Sequence, residues 1–241
     1  ANVNQADKSG MTCLMWTCQW GNCKMARKLL EQGATVNAAN GHGVTALMFA
    51  ADGNAPDIVK LLLENQANAE LSSNHGMCAL LLAARSGAAN TLKVLLEGKA
   101  DVNVKGDGVT ALMHAAGEDH ADAVEVLLQH GANVDLQDRD GQSALMYATR
   151  KNATIRPRHN FAPMVEYINN CSHLPSVMDL LLEAHADLEL RDKNGKRALD
   201  LAGAKAHHLL LTYHNQLELR RQPPVRPGAA PPGPAAAPVF P

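Results

Sequence analysis

The chain predicts an all-α solenoid of six helix-turn-helix units joined by exposed loops with hairpin tips, and three observations carry that prediction. A glycine recurs at Gly10, Gly43, Gly76, Gly108, Gly141 and Gly195, at intervals of 33, 33, 32, 33 and 54 residues. Each of these glycines opens a similar string: GMTCLMWTC, GVTALMFAA, GMCALLLAA, GVTALMHAA, GQSALMYAT and GKRALDLAG. A second apolar segment then follows in the first five units: MARKLLEQGATVN, DIVKLLLENQANAE, TLKVLLEGKADVN, AVEVLLQHGANVD and VMDLLLEAHADLE.

The first string predicts a helix carrying alanines where a neighbour must approach closely. The second carries Leu, Val and Ile at i, i+3 and i+4, the spacing of one helical face. One such pair cannot bury its apolar face alone, whereas stacked pairs form a continuous core. In the fourth unit the string GDGVTA at 106–111 has the form G-x-G-x-x-A of a dinucleotide-binding turn. That fingerprint needs a strand before it and a helix after it. The preceding KADVNVK has little strand character, and GHGVTALMFAA at 41–51 repeats the pattern, so the glycines are architectural. Gly41 and Gly106 are expected near the loop tip, where positive φ is cheap for glycine.

On its period, its T-A-L strings and its LLxxGAxxN tails, the sequence resembles the ankyrin-repeat family over roughly residues 1–215. The proline of the family's T-P-L-H signature is replaced by Ala46, Ala79, Ala111, Ala144 and Ala198, with Cys13 in the first unit. Its histidine is mostly Met15, Met48, Met113 and Met146. Thr12, Thr45, Thr110 and Ser143 remain able to cap the helix starts.

The fifth unit is longer than the others by about one short segment, an insertion at about 152–172 between its two helices. Its first half is basic, with Arg156, Arg158 and His159, and its second holds Phe161, Met164, Val165, Tyr167 and Ile168. It is either a partner-contacting finger or a loop that packs on itself. Residues 192–218 form a capping repeat, which closes an array at 1–218. Residues 219–241, rich in Pro and Ala, are expected to be disordered with polyproline II character. Arg221, Pro224 and Pro227 fit an R-x-x-P-x-x-P ligand of an SH3-type domain. The opening ANVNQADKSG matches the closing loop of a repeat, so the chain is expected to be a piece of a longer protein.

The formal net charge is −2, and the three arginines from Leu219 onward leave the array more acidic still, which disfavours nucleic acid as a partner. No apolar run reaches bilayer-spanning length. Five cysteines without dense spacing suit a reducing compartment, cytoplasmic or nuclear. Cys13, Cys18 and Cys23 are evenly spaced, but residues five apart on a helix point about 140° away from each other. They are therefore expected to be buried thiols and not metal ligands. His114, Glu118 and His120 lack a further ligand, and GQSAL lacks the second glycine of a nucleophile elbow. No cofactor and no catalytic constellation is expected.

The resemblance implies a protein-interaction module or scaffold, binding through loop tips and adjoining inner-helix ends, and the chain is expected to act as a monomer. Carried onto this chain, the partner-binding positions are Trp20, His42, Asp52, His75, Arg85, Asp107, Glu118, Arg139, Asp140, Arg150 and Lys151. Trp20 is the foremost anchor, or else it packs against a preceding repeat. From Asp52 and Glu118 toward Arg139, Arg150 and Lys151 the groove is expected to pass from acidic to basic. In some members of the family loop asparagines are hydroxylated, and Asn37 and Asn103 match that preference here. Two alternatives are the targeting portion of a larger enzyme or channel, and an enzyme built around His114 and the insertion.

Overall fold

The computed structural model describes residues 2–152 and 176–221. Among these residues twelve helices form six pairs. The pairs are α1 Cys13–Gln19 with α2 Cys23–Glu31, α3 Ala46–Asp52 with α4 Pro56–Glu64, and α5 Ala79–Arg85 with α6 Ala89–Glu97. They continue with α7 Ala111–Gly117 and α8 Ala121–Gln129, α9 Ala144–Asn152 and α10 Val177–Glu183, and α11 Ala198–Leu201 and α12 Ala204–Arg221. First helices pack on first helices and, along the first five pairs, second helices on second helices, giving the expected solenoid. The last helix runs to Arg221, into the segment expected to be tail; the insertion and residues 222–241, including Pro224 and Pro227, lie outside the described residues, apart from Asn152 at the end of α9.

Close stacking of the first helices depends on their alanines. Ala50, Ala51, Ala83, Ala84, Ala115, Ala116 and Ala148 are all buried, and Cys18 takes the place of Ala51, Ala84 and Ala116 in the first unit. The methionines that replace the signature histidine, Met15, Met48, Met113 and Met146, are buried, with Leu81 at the same place in the third unit. Thr12, Thr45 and Thr110 cap their helices as expected, each Oγ1 accepting the N–H of the methionine three residues on, at 3.3, 3.4 and 3.3 Å. Ser143 does not: its buried Oγ has no hydrogen-bond partner. Serine lacks the β-branch that restricts χ1 in threonine, so nothing holds its hydroxyl on the helix N–H groups. The backbone bond of the other helix starts is kept there, with Tyr147 N donating to the Ser143 carbonyl at 3.1 Å as Trp16 N does to Thr12 and Phe49 N to Thr45.

The hairpin tips are built on one side-chain oxygen. Asp7, Asn40, Asp138 and Asp192 each place Oδ1 to accept the N–H groups two and four residues ahead, and Ser73 Oγ accepts the one four ahead. Such bonds mimic a backbone turn. They also favour the ionised form: the Ser9 hydroxyl and then the Met11 N–H hold the Asp7 carboxyl below its ordinary value, and the Lys196 N–H does the same at Asp192. The fourth unit is one residue shorter and has no such acceptor. There β1 Lys105–Gly106 pairs antiparallel with β2 Val109–Thr110 around Asp107 and Gly108, at φ +53° and +93°. Positive φ at both central residues is the mark of a type I′ turn, with its Asp-Gly preference. The dinucleotide-like string is therefore a hairpin tip.

The expectation of positive φ at Gly41 and Gly106 is corrected. Left-handed backbone falls instead on the six anchor glycines, from +68° at Gly76 to +93° at Gly108. Gly106 is small for another reason: a Cβ there would overlap the Gly76 carbonyl and the Leu81 side chain. Burial of the cysteines is also only partly as expected. Cys18 and Cys78 are buried, the former's thiol pushed up to about 12 by desolvation, but Cys13 is exposed and Cys23 half-buried. Both lie in the first unit, where no helix pair among the described residues packs on the outer side. No group of three or more His, Cys, Asp or Glu able to hold a metal occurs among the described residues.

A second set of bonds ties loop to loop, and nothing in the sequence pattern announced it. The last residue of each A-x-V-N-like string accepts a backbone N–H one unit further on. Asn4 accepts from Thr35, Asn37 from Asn68, Glu70 from Asp101, Asn103 from Asn133 and Asp135 from Asp187, at 2.7 to 3.2 Å. Five successive steps of the array share this link.

Candidate functional site

The stacking aligns the first helices in one row, with the hairpin tips beyond their N-termini. Along that row the residue six after each of the first five anchor glycines forms a column: Trp16, Phe49, Leu82, His114 and Tyr147. The flanking positions are buried, but Trp16 is 37% exposed and the other four are half-buried. A run of large, mainly apolar side chains that the core leaves uncovered is the most unusual feature of this face. The signal was present in the sequence as a fixed offset from the anchor glycine, masked because each residue also fits a helix core.

Trp20, the C-cap of α1, stands at one end of the column and is 74% exposed. Its ring packs against Trp16 with centroids 5.4 Å apart and planes tilted by 32°. At the other end Tyr147 lies over Gly117, where a Cβ would come within 3.1 Å of the ring, and its hydroxyl donates to Asp138 Oδ2 at 2.8 Å. Burial first, and the neighbouring Asp138 next, push this phenol up to about 12. Tyr147 thus braces the fifth hairpin tip against its own helix. His114, between these ends, is held below its ordinary value by burial and then by the Arg85 cation.

The expected binding positions fall where the resemblance placed them. His42, His75, Asp107, Arg139 and Asp140 are exposed on the hairpin tips; Asp52, Arg85, Glu118 and Arg150 are exposed at the C-terminal ends of the first helices. The side chain of Lys151 lies outside the described residues. Charges along the groove pair across adjacent units: Asp52 with Arg85 at 3.4 Å, Asp107 with Arg139 at 3.8 Å, and Asp140 with Lys193 at 3.4 Å. Each pair links neighbouring units: Asp52 and Arg85 hold equivalent positions, and at the hairpin tips Asp107 and Asp140 meet the residue one position earlier in the next tip. Arg150 donates to Gln142 Oε1 at 2.9 Å.

His120, which follows His114 and Glu118 in the sequence, has a structural role: its Nε2 lies 3.1 Å from the Arg85 carbonyl, clasping the neighbouring unit. Its ring fills the space where a Cβ on Gly87 would sit. Asn37 and Asn103, the expected hydroxylation positions, both belong to the loop ladder.

A repeat period, paired helices, hairpin tips and a half-exposed inner column together fit one family. The profile described as ankyrin repeats in three copies matches residues 39–106 and 80–157, and the single-repeat profile matches 9–41. The chain belongs to the ankyrin-repeat family. It is 30% identical over 108 residues to the putative ankyrin repeat protein FPV115 of Fowlpox virus, covering 42% of this chain and 20% of that protein. It is 33% identical over 116 residues to the E3 ubiquitin-protein ligase KEG of Arabidopsis thaliana, covering 42% of this chain and 7% of that protein. Both matches therefore span a minor part of the relative. The ankyrin repeat domain of human ASB11 is similar in structure, with a TM-score of 0.72, 29% identity, and coverage of 93% of this chain and 90% of that one. Ankyrin-repeat domains are in general protein-interaction modules, and the fold is typically non-catalytic.

Proposed function

We propose that this array is a non-catalytic interaction module that binds a partner protein across the row of first helices and the hairpin tips. The observation that supports this reading most is the half-exposed column Trp16, Phe49, Leu82, His114 and Tyr147, with Trp20 exposed beside it. Aromatic side chains supply large contact area at low entropic cost, which suits them to anchor an interface. The charges around the column are largely paired within the array, so they favour register and approach more than affinity.

Affinity capture from lysate with the wild type and with a double variant, Trp20→Ala plus Arg85→Ala, tests this reading. Arg85 and its partner Asp52 are both about half exposed and Trp20 is largely exposed, so the double variant is expected to keep its fold. Loss of one specifically captured protein is expected. Retention of every captured protein by the double variant, with loss on deleting 152–172, would move recognition to the insertion.

A second reading is that the array is the targeting portion of a larger enzyme, favoured by its match to 7% of a ubiquitin ligase. Finding a catalytic segment in a longer transcript, whose turnover of one substrate falls when residues 1–221 are removed, would support it. For Asn37 and Asn103 we propose modification by an oxygen-dependent asparaginyl hydroxylase. Because both side chains are engaged in the ladder, the loop must open first, and a mass gain of one oxygen on either residue is the expected sign.

A further inference from the structure

Where the neighbouring units carry Leu82 and Tyr147, the fourth unit carries His114 on α7. Its ring is half-buried, and Nε2 is fully buried with no hydrogen-bond partner. A neutral imidazole accommodates this by carrying its proton on Nδ1 and leaving Nε2 a bare acceptor. The imidazolium has no such option. Both nitrogens then carry hydrogen, and a charged N–H is buried with nothing to accept it.

The charges around the ring do not repair that defect. Burial and, on α5, the Arg85 cation both act against the charged ring, and together they outweigh Glu118 at the end of α7, which favours it. From α9 come Tyr147, a neutral phenol, and the exposed Arg150. On α8, Asp122 and Glu125 are exposed, and β2 brings only Val109 and Thr110.

We propose that His114 is an acid-sensitive joint in the middle of the array: protonation of its ring loosens the packing of α7 against α5 and α9, and with it the centre of the inner face. The folded chain binds this proton less readily than the unfolded chain. Stability is therefore complete above the ordinary histidine value of 6.5 and is lost progressively as pH falls below it.

Urea unfolding of the full chain at pH 7.5 and pH 5.5, for the wild type and His114→Leu, is the test. Leucine is chosen because Leu82 occupies the same column. The wild-type midpoint is expected to fall on acidification by more than that of His114→Leu, and the His114 ring, followed by NMR, to titrate below 6.5. Equal falls in both proteins, or a ring that titrates at or above 6.5, would overturn the proposal. If His114→Leu fails to fold, His114→Phe takes its place, since Phe49 fills the same column in the second unit, and the wild-type titration stands on its own. Neither readout needs a partner, so the joint and the binding reading fail separately.

Discussion

Between the second and third units, α3 packs on α5 and the two helices bury Leu47, Met48, Ala50, Ala51, Leu80, Leu81, Ala83 and Ala84. The loops leading into the same units meet through polar contacts: Asn37 accepts the Asn68 N–H at 2.8 Å and donates to the Gln66 carbonyl at 3.2 Å, and Asn74 N donates to the His42 carbonyl at 2.9 Å. The inner contact depends on apolar area and shape, so it tolerates Met for His at the signature position and Cys18 for Ala in the first unit. The loop contact depends on polar atoms at fixed positions, and the acceptor that all five steps share is supplied by Asn, Glu or Asp. One repeat is thus held by two kinds of contact that constrain its sequence differently.

The sharpest way to break the inner contact is to remove a fully buried side chain. Leu80→Ala, at 1% exposure, is expected to cost about 2–5 kcal/mol in urea unfolding. Smaller is the expected effect of Gly43→Ala, which forces alanine to φ +75° and brings its Cβ within 3.0 Å of the Asn74 amide nitrogen. A cost of about 1–2 kcal/mol follows from the backbone alone. A loss below about 0.5 kcal/mol on the same scale would mean the tip relaxes freely.

The loop ladder gives the test that separates the two constraints. Asn37→Ala is expected to cost about 1 kcal/mol, while Asn37→Asp, which keeps the acceptor for Asn68 N–H and loses only the Nδ2 donation to the Gln66 carbonyl, is expected to lose less. Equal losses in the two variants would show that something other than the acceptor matters. The smallest effect belongs to the exposed pairs: Arg85→Ala is expected to change stability by less than about 1 kcal/mol. Its measurement at low and high salt shows whether the paired rim contributes to the fold at all.

The array was legible because glycine spacing and apolar periodicity are properties of the sequence itself. Thr12, Thr45 and Thr110 as caps followed from residue type and position, whereas the idle hydroxyl of Ser143 depends on a side-chain rotation that the sequence does not state. The ladder was hidden because its acceptor changes from Asn to Glu to Asp, and Asn37 and Asn103 alone stood out, for another reason. The inner column was hidden because Phe49 and Leu82 look like core residues until the stacked helices show which side stays open. The cross-repeat charge pairs were hidden because each forms across one step of the array, between residues about one repeat apart in sequence.

The central claim is that recognition runs along the first helices. A photo-crosslinking amino acid placed singly at Trp16, Leu82 or Tyr147 on that row, and at Lys93 or Glu125 on the second helices, tests it most directly. One partner protein, crosslinked from the first three positions and not from the last two, is the predicted result. Adducts confined to Lys93 and Glu125 would contradict it.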